Sequence, residues 1–297
     1  MNTPENRIEQ VLEGLGLIDR SSVEPFFPGT RDRPDLPVFR CRRSGIIYLS
    51  RVQTGVEHYE AKAGFKFTAP DLDRRQTVAV SFEDNRRRAE TVRPWVCNKR
   101  WLDFGTGPGG ILDLLGEVAS EFAGCEPQAQ ARQALEACGY RVFPGLESVP
   151  DGHYDVITLF HVLEHLDEPV RHLEVLFQKL KPGGRIVVEV PHARDFLIDF
   201  VGLESFKRFT LWSEHLILHT RESLGCFLRQ AGFTAVVVEG LQRYPLANHL
   251  HWLAKGQPGG HVHWRFLREP ALDAAHAAQL IRLDMSDTLF ASALRPH

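Results

Sequence analysis

The sequence predicts an α/β fold in which a mostly parallel sheet carries helices on both faces. From Arg100 onward, short apolar runs alternate with helical segments at the spacing of βαβ units. The first of these runs ends at Asp103 and enters the glycine-rich loop Gly105–Gly110. Such a loop lets the backbone turn tightly and approach a nucleotide with no side chain between them.

The elements follow in chain order from Arg100. Gly139 closes one predicted helix, and Thr220 is a plausible N-cap for another that ends before Gly232. The predicted strands are residues 100–104, 121–126, 141–143, 154–160, 185–190, 234–239 and 287–294, and the predicted helices are residues 111–120, 129–138, 169–180 and 220–231. Two inserts, 191–219 and 241–286, interrupt this rhythm after the fifth and sixth strands, at the edge where open α/β sheets bind ligands.

The chain is expected to have two units. Residues 1–95 are rich in Pro, Arg and aromatic side chains and are interpreted as an accessory cap. They contain a short strand-like run at 45–49 and a helical stretch at 73–94 that leads into the sheet. Residues 96–297 form the α/β unit with its two inserts.

Composition excludes several classes of protein. The net charge of −3 over 297 residues indicates no general affinity for nucleic acid or for anionic membranes. The basic run Arg86–Arg88 is interpreted as a solvated helix face. Five dispersed cysteines indicate reduced thiols, and the polar N-terminus with no long apolar segment indicates a cytoplasmic protein.

The nucleotide is the central question, since Gly105, Gly107 and Gly110 also satisfy the dinucleotide fingerprint of dehydrogenases. Asp103 argues against that class, because a carboxylate opposes a pyrophosphate but suits a ligand that carries an ammonium group. A polar run, FHVLEHL, follows the fourth strand, at the strand end where a nucleoside would lie. These features favour a cationic nucleoside without phosphate.

The chain resembles class I S-adenosylmethionine-dependent methyltransferases over about residues 100–240, on the motifs LDFGTGPGG, GCEP, YDVITLFHVLEHL and LKPGGRIVVEVP. The resemblance implies a Rossmann-like methyltransferase sheet of seven strands, the last one antiparallel and inserted between the fifth and sixth. It implies S-adenosylmethionine as cofactor, with ribose hydroxyls on Glu126. The cofactor-binding residues that it implies are Asp103, Gly105, Thr106, Gly107, Gly109, Glu126, Leu146, Phe160 and His161. Leu146 stands near the place where many members use Asp or Asn for the adenine amine.

The first insert contains the expected catalytic group. Its Glu214-His215 pair is similar to the acid–histidine pair of sugar C-methyltransferases that act on keto sugars. His215 is expected to act as general base, oriented by Glu214, with His165 as a second candidate. Those enzymes often have Tyr where this chain has Trp212, so the phenol is missing here.

Two parts of the sequence have residues of the type that bind metal ions. The run 39–49 resembles a zinc knuckle of the same sugar enzymes, but Ser44 replaces its second cysteine, so no structural zinc is expected. The side chains of His161, Glu164, His165 and His215 are an alternative site for Mg²⁺ or a similar ion. The competing interpretation is that this run orders the cofactor pocket without metal, and no metal is predicted.

The second insert is expected to bind the acceptor. Its mixture of aromatic, amide, imidazole and guanidinium groups suits a polyhydroxylated ligand. The predicted substrate-binding residues are Arg243, Tyr244, Asn248, His249 and Trp252.

The predicted function is methyl transfer to a small polar metabolite, first a sugar or nucleotide sugar of the surface-polysaccharide kind. The alternatives are O- or N-methylation of an aromatic or natural-product molecule, with or without a metal, and a binding protein that has lost catalysis. No nucleic-acid or membrane partner is expected, and a homodimer is an open alternative.

Overall fold

A computed structural model describes residues 7–51 and 73–297, so residues 1–6 and 52–72 of the predicted accessory cap lie outside the described part. Two sheets are present in the described residues. The larger has seven strands in the order β10-β11-β8-β7-β4-β5-β6. These are β4 Arg100–Phe104, β5 Glu121–Cys125, β6 Val142–Phe143, β7 Tyr154–Phe160, β8 Leu180–Pro191, β10 Thr234–Leu241 and β11 Thr288–Leu294.

The strand directions confirm the predicted fold class. Strands β4 to β8 pair in parallel, whereas β11 runs antiparallel to β8 and to β10 and lies between them. The alternation along the strands buries side chains on both faces. Leu102 and Ile157 pack into one hydrophobic cluster, while their neighbours Trp101 and Val156 pack into another on the opposite face.

Helices cover both faces of this sheet. Those of the described residues are α1 Arg7–Gly14, α2 Arg74–Val80, α3 Phe82–Val96, α4 Gly110–Leu115, α5 Ala129–Glu136, α6 Pro169–Lys179, α7 Glu204–Thr210, α8 Arg221–Gln230, α9 Leu246–Lys255, α10 Gly260–His263 and α11 Pro270–Arg282. The predicted helical stretch 73–94 is divided at Ser81, where the backbone leaves the helical region. Strand β8 is longer than predicted, because residues 180–184 join its pairing with β7 through an irregular register.

The smaller sheet links the N-terminal region to the first insert. Strands β1 Val23–Phe27, β2 Val38–Cys41 and β3 Ile47–Leu49 pair antiparallel, and β9 Ile217–Leu218 from the insert adds to β3. The backbone N–H of Leu216 donates to the carbonyl oxygen of Glu164 at 2.8 Å. The residue after His215 is therefore tied to the run that follows β7.

The turn between β2 and β3, where the sequence resembles a zinc knuckle, is tight. Gly45 adopts φ +76°, and its N–H donates to the carbonyl oxygen of Cys41 at 2.8 Å. The hydroxyl of Ser22 lies 3.1 Å from the sulfur of Cys41.

Among the described residues no helix combines the length and the apolar character needed to cross a membrane.

Candidate functional site

A cavity of about 550 Å³ opens at the carboxyl ends of β4, β5 and β7. Its volume falls within the roughly 300–1,000 Å³ that is usual for small-molecule sites. One half, here called the donor half, contains the glycine loop, Asp103 and Glu126. The other, the acceptor half, contains the run after β7 together with His215 and Arg243.

The glycine loop needs glycine for stereochemical reasons. Gly105, Gly107 and Gly109 have φ values of +76°, +53° and +74°, in the left-handed region that other residues rarely adopt. A Cβ on Gly105 would overlap the side chain of Val162, and one on Gly109 would overlap Leu135. Gly107 has open space beside it, which leaves room for a ligand against the backbone.

Two buried carboxylates lie beside this loop. Oε2 of Glu126 accepts a hydrogen bond from the N–H of Gly107 at 2.8 Å, which joins the second strand to the loop. Oδ1 of Asp103 accepts from the hydroxyl of Thr158 at 2.6 Å. Burial raises the pKa of Asp103 to about 6, against the opposing effect of that hydrogen bond. A cationic ligand beside Asp103 would favour the ionised carboxylate and so oppose the effect of burial on its pKa.

Most of the predicted cofactor residues line the cavity. They are Asp103, Gly105, Thr106, Gly107, Glu126, Leu146, Phe160 and His161. Gly109 does not line it but stands at the N-cap of α4, and Gly110 lines the wall instead. Leu146 lies in a short turn with Gly145 and Glu147, on the side where the adenine is expected.

The donor half fits S-adenosylmethionine. Asp103 and Glu126 supply negative charge for a ligand with an ammonium and a sulfonium group, and no cavity-lining cation of the described residues is unpaired. Arg88 is bound to Glu189, and Arg243 is bound to Asp84. A pyrophosphate would lack a partner here.

Histidines surround the acceptor half. His161 follows β7 with φ +56°, a strained conformation for a residue other than glycine. Its Nδ1 lies 3.0 Å from Oε1 of Glu164, and its Nε2 accepts from Arg243 at 3.1 Å. The side chain of His161 is thus held on both ring nitrogens.

The structure groups Glu164, His165 and His215 within 4.8 Å of one another, measured between one nitrogen or oxygen atom of each. Nδ1 of His165 donates to the carbonyl oxygen of Glu214 at 2.6 Å. Glu164 is fully buried; burial alone would raise the pKa of its carboxyl, but His161 and His215 outweigh this effect and lower it. The cluster therefore contains a carboxylate beside two imidazoles.

The role of Glu214 as the group that orients His215 stays a prediction. Its backbone carbonyl oxygen accepts from His165, and Glu214 is not among the residues that line the cavity. Glu164 is a second carboxylate, and it lies beside His215. In the sequence, the FHVLEHL run indicated Glu164 only as a metal ligand. Its pairing with His215 was not predicted, because two residues 51 positions apart form no local pattern.

Arg243 closes the cavity from the second insert. It forms a two-pronged ion pair with Asp84 of α3 and donates to His161. Burial opposes ionisation of Asp84, but Arg243 and then Arg88 and Arg87 hold the pKa of this carboxyl well below its usual range. Arg243, a predicted substrate-binding residue, lines the cavity, and its charge is compensated by Asp84.

The interpretation of Arg86–Arg88 as a solvated face is correct only for Arg86, which is half-exposed and pairs with Glu83 and Glu90. Arg87 and Arg88 both bind the fully buried Glu189 of β8. A run of identical residues has no periodicity by itself, so the sequence could not show which of them points inward.

The other predicted substrate residues lie away from the cavity. Tyr244 is partly exposed, and Asn248, His249 and Trp252 pack into the insert itself. The ring of His249 stacks on Phe196 at 5.6 Å, and Trp252 contacts Phe206 at 5.0 Å. Helix α9 turns these polar and aromatic groups inward, where they form the core of the insert.

Comparisons with known proteins agree with this geometry. Residues 59–238 match a family model described as a methyltransferase domain. The chain is similar to the ubiquinone biosynthesis O-methyltransferases of Pseudomonas aeruginosa, at 26% identity over 53% of this chain and 74% of that protein, and of Psychrobacter arcticus, at 25% identity over 56% and 70%. Neither of these two relatives is named as a sugar methyltransferase.

Solved structures show the same fold. A SAM-dependent methyltransferase from Archaeoglobus fulgidus has 22% identity and a TM-score of 0.51, covering 75% of this chain and 94% of that one. A putative methyltransferase in complex with the Trm112 activator of Haloferax volcanii has 16% identity and a TM-score of 0.52, with the same coverage. With the sequence match over residues 59–238, the conclusion is that the chain belongs to the methyltransferase domain family and is an S-adenosylmethionine-dependent methyltransferase.

Proposed function

We propose that the protein transfers a methyl group from S-adenosylmethionine to a hydroxyl oxygen of a small molecule. The observation that carries this proposal is the placement of Glu164, His165 and His215 beside the same cavity as the glycine loop. A hydroxyl acceptor must lose a proton as it is methylated, and an imidazole supported by a carboxylate is suited to receive it.

Two features favour an uncharged aromatic acceptor over the predicted nucleotide sugar. The cations of the cavity lining among the described residues, Arg88 and Arg243, are paired with Glu189 and Asp84, so a diphosphate would find no available guanidinium. The relatives are named O-methyltransferases of ubiquinone biosynthesis, which specifies oxygen as the atom that they methylate. A neutral sugar is the second acceptor class.

The chain's own residues have separate tasks in this proposal. The cofactor supplies the methyl group; Asp103 and Glu126 hold it by its ammonium group and its ribose. His215 takes the acceptor's proton, and Glu164 stabilises the imidazolium that results. Glu214 holds His165 in one orientation through its carbonyl oxygen.

A product assay tests the acceptor class. The full chain is incubated with labelled S-adenosylmethionine and three sets of acceptors: catechol-type phenols, neutral sugars and nucleotide sugars. We expect methylated phenols, with the sugars weaker and the nucleotide sugars inert. Turnover of nucleotide sugars alone would reject the aromatic acceptor, and methylation of none would reject O-methyl transfer to these classes.

Metal assistance is a second candidate, supported by the same cluster. Glu164, His165 and His215 form a group of ligand type, and Oε2 of Glu164 has no hydrogen-bond partner among the described residues. A divalent ion would polarise the acceptor hydroxyl. If activity survives chelation and desalting, His215 acts without metal; if activity is lost and returns with a divalent ion, the metal-assisted form is correct.

A further inference from the structure

Strand β4 places Trp101 and Asp103 on the same face of the sheet, because alternate residues of a strand point to the same side. Thr158 of β7 lies directly opposite Asp103 in the parallel pairing of the two strands. Trp101 and Thr158 are fully buried, and only 3% of Asp103 is exposed. The three side chains form a buried polar group that reaches the donor half of the cavity through Asp103.

Two hydrogen bonds connect these side chains in a row, here called the Trp101 relay. The indole N–H of Trp101 donates to Oγ1 of Thr158 at 2.9 Å, and the hydroxyl of Thr158 donates to Oδ1 of Asp103 at 2.6 Å. The second distance is in the range of a hydroxyl that donates to an ionised carboxylate.

The chemistry of the three groups fixes the direction of both hydrogen bonds. An indole N–H can only donate, so Oγ1 of Thr158 must accept from Trp101. A threonine hydroxyl has a single proton, and Asp103 is its acceptor among the hydrogen bonds of the described residues. Trp101 therefore occupies a lone pair of Thr158 and leaves the hydroxyl proton directed at Asp103.

The relay lies in an apolar setting. Trp101 belongs to the hydrophobic cluster between the sheet and the helices α3 and α4. Hydrogen bonds are electrostatically stronger in such surroundings than in water, and successive bonds polarise one another. The donation from Trp101 should therefore strengthen the donation from Thr158 to Asp103.

The groups around Asp103 act on its charge in opposite directions. Burial raises the pKa of Asp103 to about 6, and the hydrogen bond from Thr158 is the largest effect that opposes burial. Thr106 of the glycine loop and Arg88 of α3 also lower this pKa, whereas Glu126 raises it. Arg88 is itself bound to Glu189, so the hydroxyl of Thr158 is the neutral donor that acts most strongly on Asp103.

A buried carboxylate that binds an ammonium group must be both charged and correctly oriented. We propose that Thr158 is a positioning residue for the methyl donor and that Trp101 directs its hydroxyl. Together they orient Asp103 and stabilise its negative charge toward the ammonium group of S-adenosylmethionine. The inference rests on the proposed role of Asp103 as the partner of that ammonium group.

Calorimetric titration with S-adenosylhomocysteine between pH 5 and pH 8.5 tests the role of Thr158. Thr158→Val removes the hydroxyl at nearly constant volume, so protonation of Asp103 becomes easier. The fall of affinity with decreasing pH should then begin about one pH unit higher than in the wild type. Thr158→Ser keeps the hydroxyl and should restore the wild-type midpoint. A loss of affinity in Thr158→Val that is equal at every pH would show a packing role only and would overturn the proposal.

Asp103→Asn separates a failure of the relay from a failure of the proposed cofactor site. In this background Thr158→Val should have no further effect on the pH dependence, because the titrating carboxyl is gone. If Asp103→Asn binds as the wild type does at every pH, the proposed role of Asp103 is wrong. If it binds weakly and without a slope while Thr158→Val keeps the wild-type midpoint, only the relay is rejected.

Trp101 has a separate spectroscopic readout. Its indole N–H proton resonance can be identified among those of the five tryptophans by its loss in Trp101→Phe. In the wild type this resonance should shift with pH, with a midpoint near the Asp103 pKa of about 6. The shift should disappear in Asp103→Asn and in Thr158→Val. A resonance that stays constant between pH 5 and pH 8 would show that the charge of Asp103 does not affect Trp101, and the assignment of Trp101 would be wrong.

Discussion

The donor and acceptor halves of the cavity are built in different ways. Most of the donor half comes from one stretch of chain, residues 103–126, to which the later turn at Leu146 adds the adenine side, and its loop consists mainly of backbone whose shape glycine permits. The acceptor half is assembled from distant segments: Asp84 and Arg88 of α3, the run after β7, His215 and Arg243. Its members are held by charge pairs between residues far apart in sequence. The first half is set by local stereochemistry, and the second by tertiary contacts.

Replacing the histidine of the acceptor half should have the largest effect. We expect His215→Ala to lower kcat by roughly 10²–10⁴, the usual contribution of a general base, and to leave the affinity for S-adenosylhomocysteine unchanged. His172→Ala is the matched control, because His172 lines the same cavity outside the Glu164 cluster and should keep its turnover. A His215 variant with near-wild-type kcat would remove this residue from the chemistry.

Breaking the charge pair of the acceptor half comes next. Asp84→Asn leaves Arg243 without its carboxylate, and should lower the free energy of unfolding by about 2–3 kcal/mol, less than for a fully buried pair because 29% of the Asp84 side chain is exposed. Urea denaturation measures the change. Glu83→Gln, which breaks an exposed pair on the same helix, should leave the midpoint where it is. Equal effects of the two changes would mean that the Arg243 pair contributes no more than a surface contact.

A methyl group in the glycine loop tests the donor half. Gly105→Ala should weaken binding of S-adenosylhomocysteine by roughly 10–100-fold, since the new Cβ overlaps Val162 and the φ of +76° is strained for alanine. Gly139→Ala has a similar φ of +82° with open space around it, away from the cavity, and should keep full affinity at a small cost in stability. Calorimetric titration of both variants with S-adenosylhomocysteine distinguishes the effect of the overlap with Val162 from the effect of a strained φ alone. Unchanged affinity in the Gly105 variant would contradict the proposed cradle.

The smallest effect concerns pH. The pKa of Asp103 is about 6 without a cofactor. Below that pH the carboxyl is protonated and loses its attraction for the ligand's ammonium group, so affinity for S-adenosylhomocysteine should fall a few-fold from pH 7.5 to pH 5. Asp103→Asn should bind more weakly and without this slope. A slope that persists in the variant would assign the titration to another group.

The same contrast explains what sequence reasoning could predict. The alternation of strands and helices predicted the parallel sheet, and the family resemblance implied the antiparallel last strand between the fifth and sixth. The glycine loop with Asp103 and Glu126 was visible as a local motif. The pairing of Glu164 with His215 and of Arg243 with Asp84 was not visible, because neither pair has a fixed spacing in sequence. The inward turn of Asn248, His249 and Trp252 was also missed, since a helix that mixes polar and apolar groups does not reveal which side forms a core.

Strand β9 has a consequence for the size of the functional unit. The segment that carries His215 continues into two residues that pair with β3, and β3 lies outside the 59–238 match to the methyltransferase family. Removing only the residues before that match would remove the strand against which this segment is aligned. The N-terminal boundary of the family match and that of a working enzyme would then differ: a protein that begins at residue 59 would retain its hold on the methyl donor while the histidine loses its alignment.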